Sequence, residues 1–163
     1  MVSQTVEIQA VKKNLILCPV DFSESTELAI SLAVDLANAG NSKVILLHVI
    51  APDVPAISIN QSINNRLLAR LRRQYLDLKE VDWEQVTRHG NPAETVITYA
   101  RQSSADLIVM GTQGRTGLAS LVVGSVARRV MNGAHCPVVT VKTPSFPSAG
   151  SWQDEVIAMG AGS

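Results

Sequence analysis

The sequence predicts an α/β fold, a single domain with a five-stranded parallel sheet and helices on both faces. Three observations predict it. Short apolar runs alternate with amphipathic segments along the chain, giving five strand-like segments. The strand-like runs are nearly continuously apolar, as strands covered on both faces are. The connections are short, and with right-handed crossovers that order builds a parallel sheet covered on both sides. The chain has 163 residues, enough for one domain that buries roughly two thirds of its unfolded surface.

Leu15-Ile16-Leu17-Cys18 reads as a buried strand that Pro19 stops. Ser23 is placed to cap the next helix, with Glu24 and Glu27 favourably set in its first turn. Leu28, Leu32 and Leu36 recur along it, flanked by Ala29, Ala33 and Ala37, and Gly40 ends it. Lys43 to Ile50 is the second strand. After Pro52 and Pro55, the spacing of Ile63, Leu67, Leu71 and Tyr75 predicts a second helix. Asp82 to His89 alternates loosely around Trp83 and Val86 and is the third strand. Asn91-Pro92-Ala93-Glu94 is a helix start: Asn91 can cap, Pro92 suits the first position, and Glu94 can reach back to the cap. Ala105 to Met110 is the fourth strand, Gly111 to Gly117 a loop, a last helix precedes Asn132-Gly133, and Pro137 to Val141 is the fifth strand. Residues 1–10 are expected to be a flexible N-terminus, residues 11–142 the folded domain, and residues 143–163, rich in Pro, Ser and Gly, a flexible tail.

Composition narrows the classes of function. Hydrophobic residues make up 46% and charged residues 17%, a globular balance. Lys plus Arg and Asp plus Glu are equal at 14 each, so nothing calls for a nucleic-acid or anionic-membrane partner. Cys18 and Cys136 form no metal or redox spacing, and His48, His89 and His135 are scattered, with structural or solvent-facing roles expected. Met1 to Ala10 lacks the apolar core of a secretory signal, and no apolar run is long enough to cross a bilayer, so a cytoplasmic location is expected.

In an open parallel sheet, ligands bind beyond the carboxyl ends of the strands, where the winding reverses. The loops after the first and fourth strands are therefore the candidates. In Pro19-Val20-Asp21-Phe22-Ser23, the Asp21 carboxylate can accept hydrogen bonds from two adjacent ribose hydroxyls, or it can help cap the following helix. The second loop runs from Met110-Gly111 through Gly114-Arg115 to Gly124-Ser125. Its glycines let backbone amides approach and surround a phosphate. A glycine inside the last helix would cost about 1 kcal/mol against alanine. At the helix start, Gly124 would let Ser125 cap and leave free amides facing an anion. Arg115 can neutralise phosphate charge or point to water.

The run Gly111-Thr112-Gln113-Gly114, nine residues, then Gly124-Ser125 resembles the nucleotide-binding signature of the universal stress protein family. Ile16 to Ser23, Val44 to Val49 and Gly90-Asn91-Pro92 are similar to its first strand and loop, its second strand and the turn before its third helix. The resemblance implies the sheet order 3-2-1-4-5, a Rossmann-like architecture and a homodimer, here through the edge strand Val138 to Val141. It also implies ATP, with or without Mg²⁺, as the ligand. Pro19, Val20 and Asp21 would then flank the adenosine with Asp21 on the ribose. Val49 would touch adenine, and Met110 and Gly111 would line base and ribose. Gly114, Gly124, Ser125 and Val126 would meet the phosphates. With that order, the first and fifth strands stand about 10 Å apart, too far for a disulfide between Cys18 and Cys136.

Three functions fit: a nucleotide-binding regulatory protein, a slow ATP hydrolase, and a dimerising interaction module with an empty site. No glycine loop ends in Gly-Lys-Ser/Thr, and no His or carboxylate lies between Gly111 and Ser125 to activate water. The first reading is favoured.

Overall fold

Valine, isoleucine and leucine dominate the two central strands because both of their faces are covered. In the computed structural model, which describes residues 13–52, 69, 73, 81–112 and 123–143, β1 (Leu15–Val20) and β2 (Lys43–Ile50) lie at the heart of a five-stranded sheet. β3 (Trp83–His89), β4 (Leu107–Gly111) and β5 (Val138–Val141) complete it. The order is β3-β2-β1-β4-β5, and all four pairings are parallel. Between the strands run α1 (Glu24–Gly40), α2 (Pro92–Ser103) and α3 (Ser125–Gly133).

Alternation along each strand divides the core in two. Ile16, Cys18 and Val20 of β1, with Val44, Leu46 and Val109, pack under Ala29, Ile30, Ala33, Val34 and Ala37 of α1. Leu17, Ile45, Leu47, Ile108 and Met110 face the other way, against Ala93, Val96 and Ala100 of α2 and Ala127 and Val130 of α3. The small residues on the helices let them lie close to the large aliphatic side chains of the sheet.

The structure corrects several local expectations. Pro19 does not stop β1, which runs on to Val20 with Pro19 opposite Leu47. Gly40 is the last residue of α1, and Asn41 takes the left-handed C-cap conformation, φ 47°, because a short polar side chain tolerates it. Asn91 does cap α2, its Oδ1 accepting the Glu94 amide at 3.3 Å, with Pro92 at the helix start. The Glu94 carboxylate turns instead to Arg129 of α3, at 2.8 Å. Gly90, just before this cap, holds φ 142°, where an L-residue is strained. α3 includes Asn132 and Gly133, which the sequence places after the last helix. The expected second helix, on Ile63 to Tyr75, lies outside the described residues but for positions 69 and 73, as do residues 1–10 and most of the tail. Among the described residues, no helix is long and apolar enough to cross a membrane.

β4 stands between β1 and β5, and both cysteines are free, Cys18 buried and Cys136 half-buried. Burial pushes the Cys18 thiol up from 9.0 to about 12. Above pH 9 the unfolded chain gives up this proton while the folded chain keeps it. The thiol's contribution to stability is therefore intact below that pH and is lost as pH rises towards 12. Urea unfolding at pH 8 and pH 10.5 is expected to show a steeper alkaline loss for the wild type than for Cys18→Ala, by about 1 kcal/mol per pH unit. Equal losses would contradict the burial argument.

Candidate functional site

β1 and β4 are neighbours in the middle of the sheet, and the chain leaves them in opposite directions, from β1 to β2 and from β4 to β5. Such a reversal opens a crevice beyond the carboxyl ends of the strands. β1 stays registered with β2 as far as Val20 and His48. With β4 its register covers Ile16 with Leu107 and Leu17 with Ile108. Pro19 accounts for the early separation. Leu15 turns both backbone groups towards β4: its amide donates to Asp106 Oδ2 at 2.8 Å, and its carbonyl accepts the Asp106 amide at 2.9 Å. Backbone groups two residues apart in a strand face the same neighbour, so Leu17 and Pro19 also face β4. Pro19 has no N–H to offer, and the crevice begins beside it.

Asp21 sits at the mouth of this crevice, half-buried. Its Oδ1 accepts from the Ser23 hydroxyl at 2.6 Å, the Thr26 hydroxyl at 2.6 Å and the Ser23 amide at 3.0 Å. The Asp21 amide donates back to Thr26 Oγ1 at 3.4 Å. Asp21, not Ser23, therefore braces the start of α1. Ser23 occupies the N-cap position with extended backbone, but its hydroxyl makes no capping bond. The helix-capping role of Asp21 is real and uses one carboxylate oxygen. All three bonds to the carboxylate among the described residues fall on Oδ1, so Oδ2 remains as an acceptor.

The second wall is the end of β4. Met110 is buried against α2 and α3. Gly111 has no positive φ; what it supplies is room. A Cβ there would collide with the Ser25 hydroxyl oxygen and come within 2.8 Å of Ser25 Cβ and 3.1 Å of its carbonyl carbon. Ser25 is buried in the first turn of α1, so Gly111 lets that turn rest directly on β4.

Thr112 follows, buried, and holds three strands of chain together. Its amide donates to the Val141 carbonyl at 2.8 Å, its hydroxyl donates to the same oxygen at 3.3 Å, and its carbonyl accepts the Gly124 amide at 2.7 Å. The Gly124 bond ties residue 124 to residue 112 and sets the N-terminus of α3 beside the end of β4. It also corrects the expected donor set. Gly124 is itself the N-cap, at φ −56°, and its amide is engaged with Thr112. Ser125 is the first helical residue, exposed, and not the cap. The open donors of this terminus are the first amides of α3, which lack partners within the helix.

Pro19, Val20, Asp21, Met110, Gly111, Gly124, Ser125 and Val126 thus stand on the ends of β1 and β4 and the start of α3. Val49 joins them from β2, one residue past the Val20–His48 pair and on the α2 and α3 side of the sheet. Gly114 and Arg115 lie outside the described residues. Sequence reasoning missed Thr26, Ser25 and Thr112, which position this site. Hydroxyls two and five residues after Asp21 were the available signal for Thr26, since a carboxylate just before a helix gathers such donors. Ser25 and Thr112 act through contacts with β4 and β5 that no local pattern contains. Among the described residues, no cluster of His, Cys, Asp and Glu is arranged to hold a metal ion.

Comparison with known proteins agrees with this architecture. Universal stress protein MJ0531 of Methanocaldococcus jannaschii is 34% identical over 139 residues, covering 79% of this chain and 82% of that protein. The solved structure of MJ0577, from the same organism, superposes with a TM-score of 0.68 at 27% identity, covering 83% of this chain and all of that one. A universal stress protein solved in complex with cAMP shares the fold, with a TM-score of 0.65 at 23% identity, covering 81% of this chain and 98% of that one. Residues 14–142 match the profile of the Universal stress protein family, and the chain belongs to that family.

Proposed function

We propose that this protein binds ATP in the crevice between β1 and β4 and acts as a nucleotide-dependent regulatory module. The observation that carries the reading is the Asp21 carboxylate. It is fixed through Oδ1 by three donors and stands where the strands part, with Oδ2 left to accept from a ribose. Two vicinal hydroxyls suit an ionised carboxylate, because hydrogen bonds to a charged acceptor are short and strong. Pro19 and Val20 flank the adenosine, Val49 contacts the adenine, and Met110 and Gly111 line the base and ribose. The first amides of α3, at Ser125 and Val126, with the Ser125 hydroxyl, receive the phosphates, aided by Gly114, Arg115 and the helix dipole. Gly124 contributes by its bond to Thr112, which aims that terminus. Mg²⁺ would enter with the triphosphate. The capacity of this fold for an adenine nucleotide is illustrated by the relative in complex with cAMP.

Retention suits this site better than turnover. Phosphoryl transfer needs a placed nucleophile and charge neutralisation, and Asp21 is committed to bracing α1 and to the ribose. The module is proposed to act as a cytoplasmic homodimer through β5. That strand is the sheet edge, with Val139 exposed on it, and an uncharged edge invites pairing across a two-fold axis.

Purified protein, denatured and chromatographed for nucleotides, is expected to release ATP, and light scattering at micromolar concentration to give twice 17.4 kDa. Release of ADP would favour turnover. Absence of any nucleotide, together with no calorimetric binding at millimolar ATP, would overturn the reading. A monomeric mass would remove the dimer alone.

A further inference from the structure

Phe22, the residue after Asp21, holds φ 64°, a region that a bulky aromatic residue rarely adopts. Strained backbone of this kind persists only where its surroundings over-determine it. The turn at Phe22 has a consequence for Asp21: it brings the Ser23 amide back to Oδ1, at 3.0 Å. What fixes the chain on the near side of this turn is a histidine from the next strand. His48 Nδ1 stands 2.9 Å from the carbonyl oxygen of Val20, its register partner on β1. A carbonyl can only accept, so Nδ1 carries the proton. The same imidazole lies against the Phe22 ring, centroids 4.8 Å apart and planes tilted by 50°.

We infer that the His48 Nδ1–H···O=C Val20 hydrogen bond is a positioning element for the nucleotide site. By anchoring the end of β1 to β2, it sets the left-handed turn at Phe22 and so the pose of the Asp21 carboxylate. Val20 lies just beyond the point where β1 loses its ladder to β4, so β2 is the neighbour left to hold this end of the strand. The β1–β2 ladder fixes the backbone there, and the His48 bond adds a side-chain hold on the last carbonyl of β1. The effect on affinity rests on the proposed binding of ATP; the effect on the loop does not.

Two variants separate the bond from the bulk of the ring. His48→Phe keeps an aromatic ring against Phe22 and removes the donor. His48→Asn keeps an N–H donor near the position of Nδ1 and removes the ring. Hydrogen exchange of the Ser23 amide, followed by NMR without nucleotide, reports the Asp21 turn, and calorimetry with ATP reports the site. Leu107→Ala, which loses packing at the start of β4, the end of that strand away from Met110 and Gly111, controls for general destabilisation.

His48→Phe is expected to raise Ser23 exchange and weaken ATP binding, each about tenfold. His48→Asn should stay within about threefold of wild type, and Leu107→Ala should leave both unchanged. Wild-type behaviour from His48→Phe, or equal damage from both His48 variants, would overturn the assignment. If the wild type bound no ATP, the nucleotide reading would fall and the Ser23 exchange rates would still decide the role of His48.

Discussion

Asp21→Ala is expected to weaken ATP binding by about 100-fold and to lower stability by about 2 kcal/mol. The two losses come from different oxygens. Oδ1 braces the start of α1 through Ser23 and Thr26. Thr26 is 2% exposed, so truncation takes from a buried hydroxyl its charged acceptor at 2.6 Å and leaves it the weaker contact with Ser23 Oγ at 3.3 Å; that loss and the loss of the helix brace are each worth about 1 kcal/mol. In a domain of this size the midpoint of thermal unfolding should fall by about 6 °C. Oδ2 is the proposed ribose acceptor, and losing hydrogen bonds to a charged group costs about 1.5–3 kcal/mol, tenfold to above 100-fold in affinity.

Asp21→Asn separates the roles. Its carbonyl oxygen can keep the three donors of Oδ1, while the amide placed at Oδ2 cannot accept and carries no charge. Stability should stay within about 1 kcal/mol of wild type while affinity falls at least about tenfold. Calorimetry and thermal unfolding of both variants check this. Unchanged ATP affinity in Asp21→Asn would leave Asp21 as a helix brace and nothing more.

Gly111→Ala is expected to cost about 1–3 kcal/mol, the usual range for forcing atoms into filled space. The new Cβ meets Ser25, whose Cβ and carbonyl carbon lie 2.8 and 3.1 Å from it. Rotating the Ser25 hydroxyl relieves the worst collision, but Cβ and backbone belong to the buried first turn of α1 and can yield only if that turn moves. Ser25 Oγ lies 3.1 Å from Ser23 Oγ, so displacement reaches the group that fixes Asp21. ATP binding should therefore weaken along with stability. The same substitution in a Ser25→Gly background should cost less than in the wild type, since the obstructing Cβ is gone. Additive costs in that double-mutant cycle would show that the two residues do not press on one another.

Local chemistry made much of this molecule legible before its tertiary structure was considered. Asn91-Pro92 names a helix start because both residues act within one turn, and the structure finds the cap there. The apolar runs of β1 and β2 mark central strands because only strands covered on both faces dispense with polar alternation. Where the expectation differed from the structure, a competing partner had intervened, near or far along the chain. Glu94 left its own cap for Arg129, 35 residues away. Ser23 gave its hydroxyl to Asp21, whose charge makes it the stronger acceptor. Pro19 did not end its strand, because its missing donor faces β4 and leaves the pairing with β2 intact.

The chain's own pattern of apolar runs, helix starts and glycines determined the parallel sheet, its layers and the two loops worth inspecting, since these follow from periodicity and from backbone freedom within a few residues. Only tertiary structure decided how the loops meet. It set Gly111 against Ser25, spent the Gly124 amide on Thr112, and bound His48 to the end of β1. Each of these joins elements whose separation along the chain carries no information about distance in space. Their geometry is settled by packing across the sheet, where buried groups take their partners from neighbouring elements.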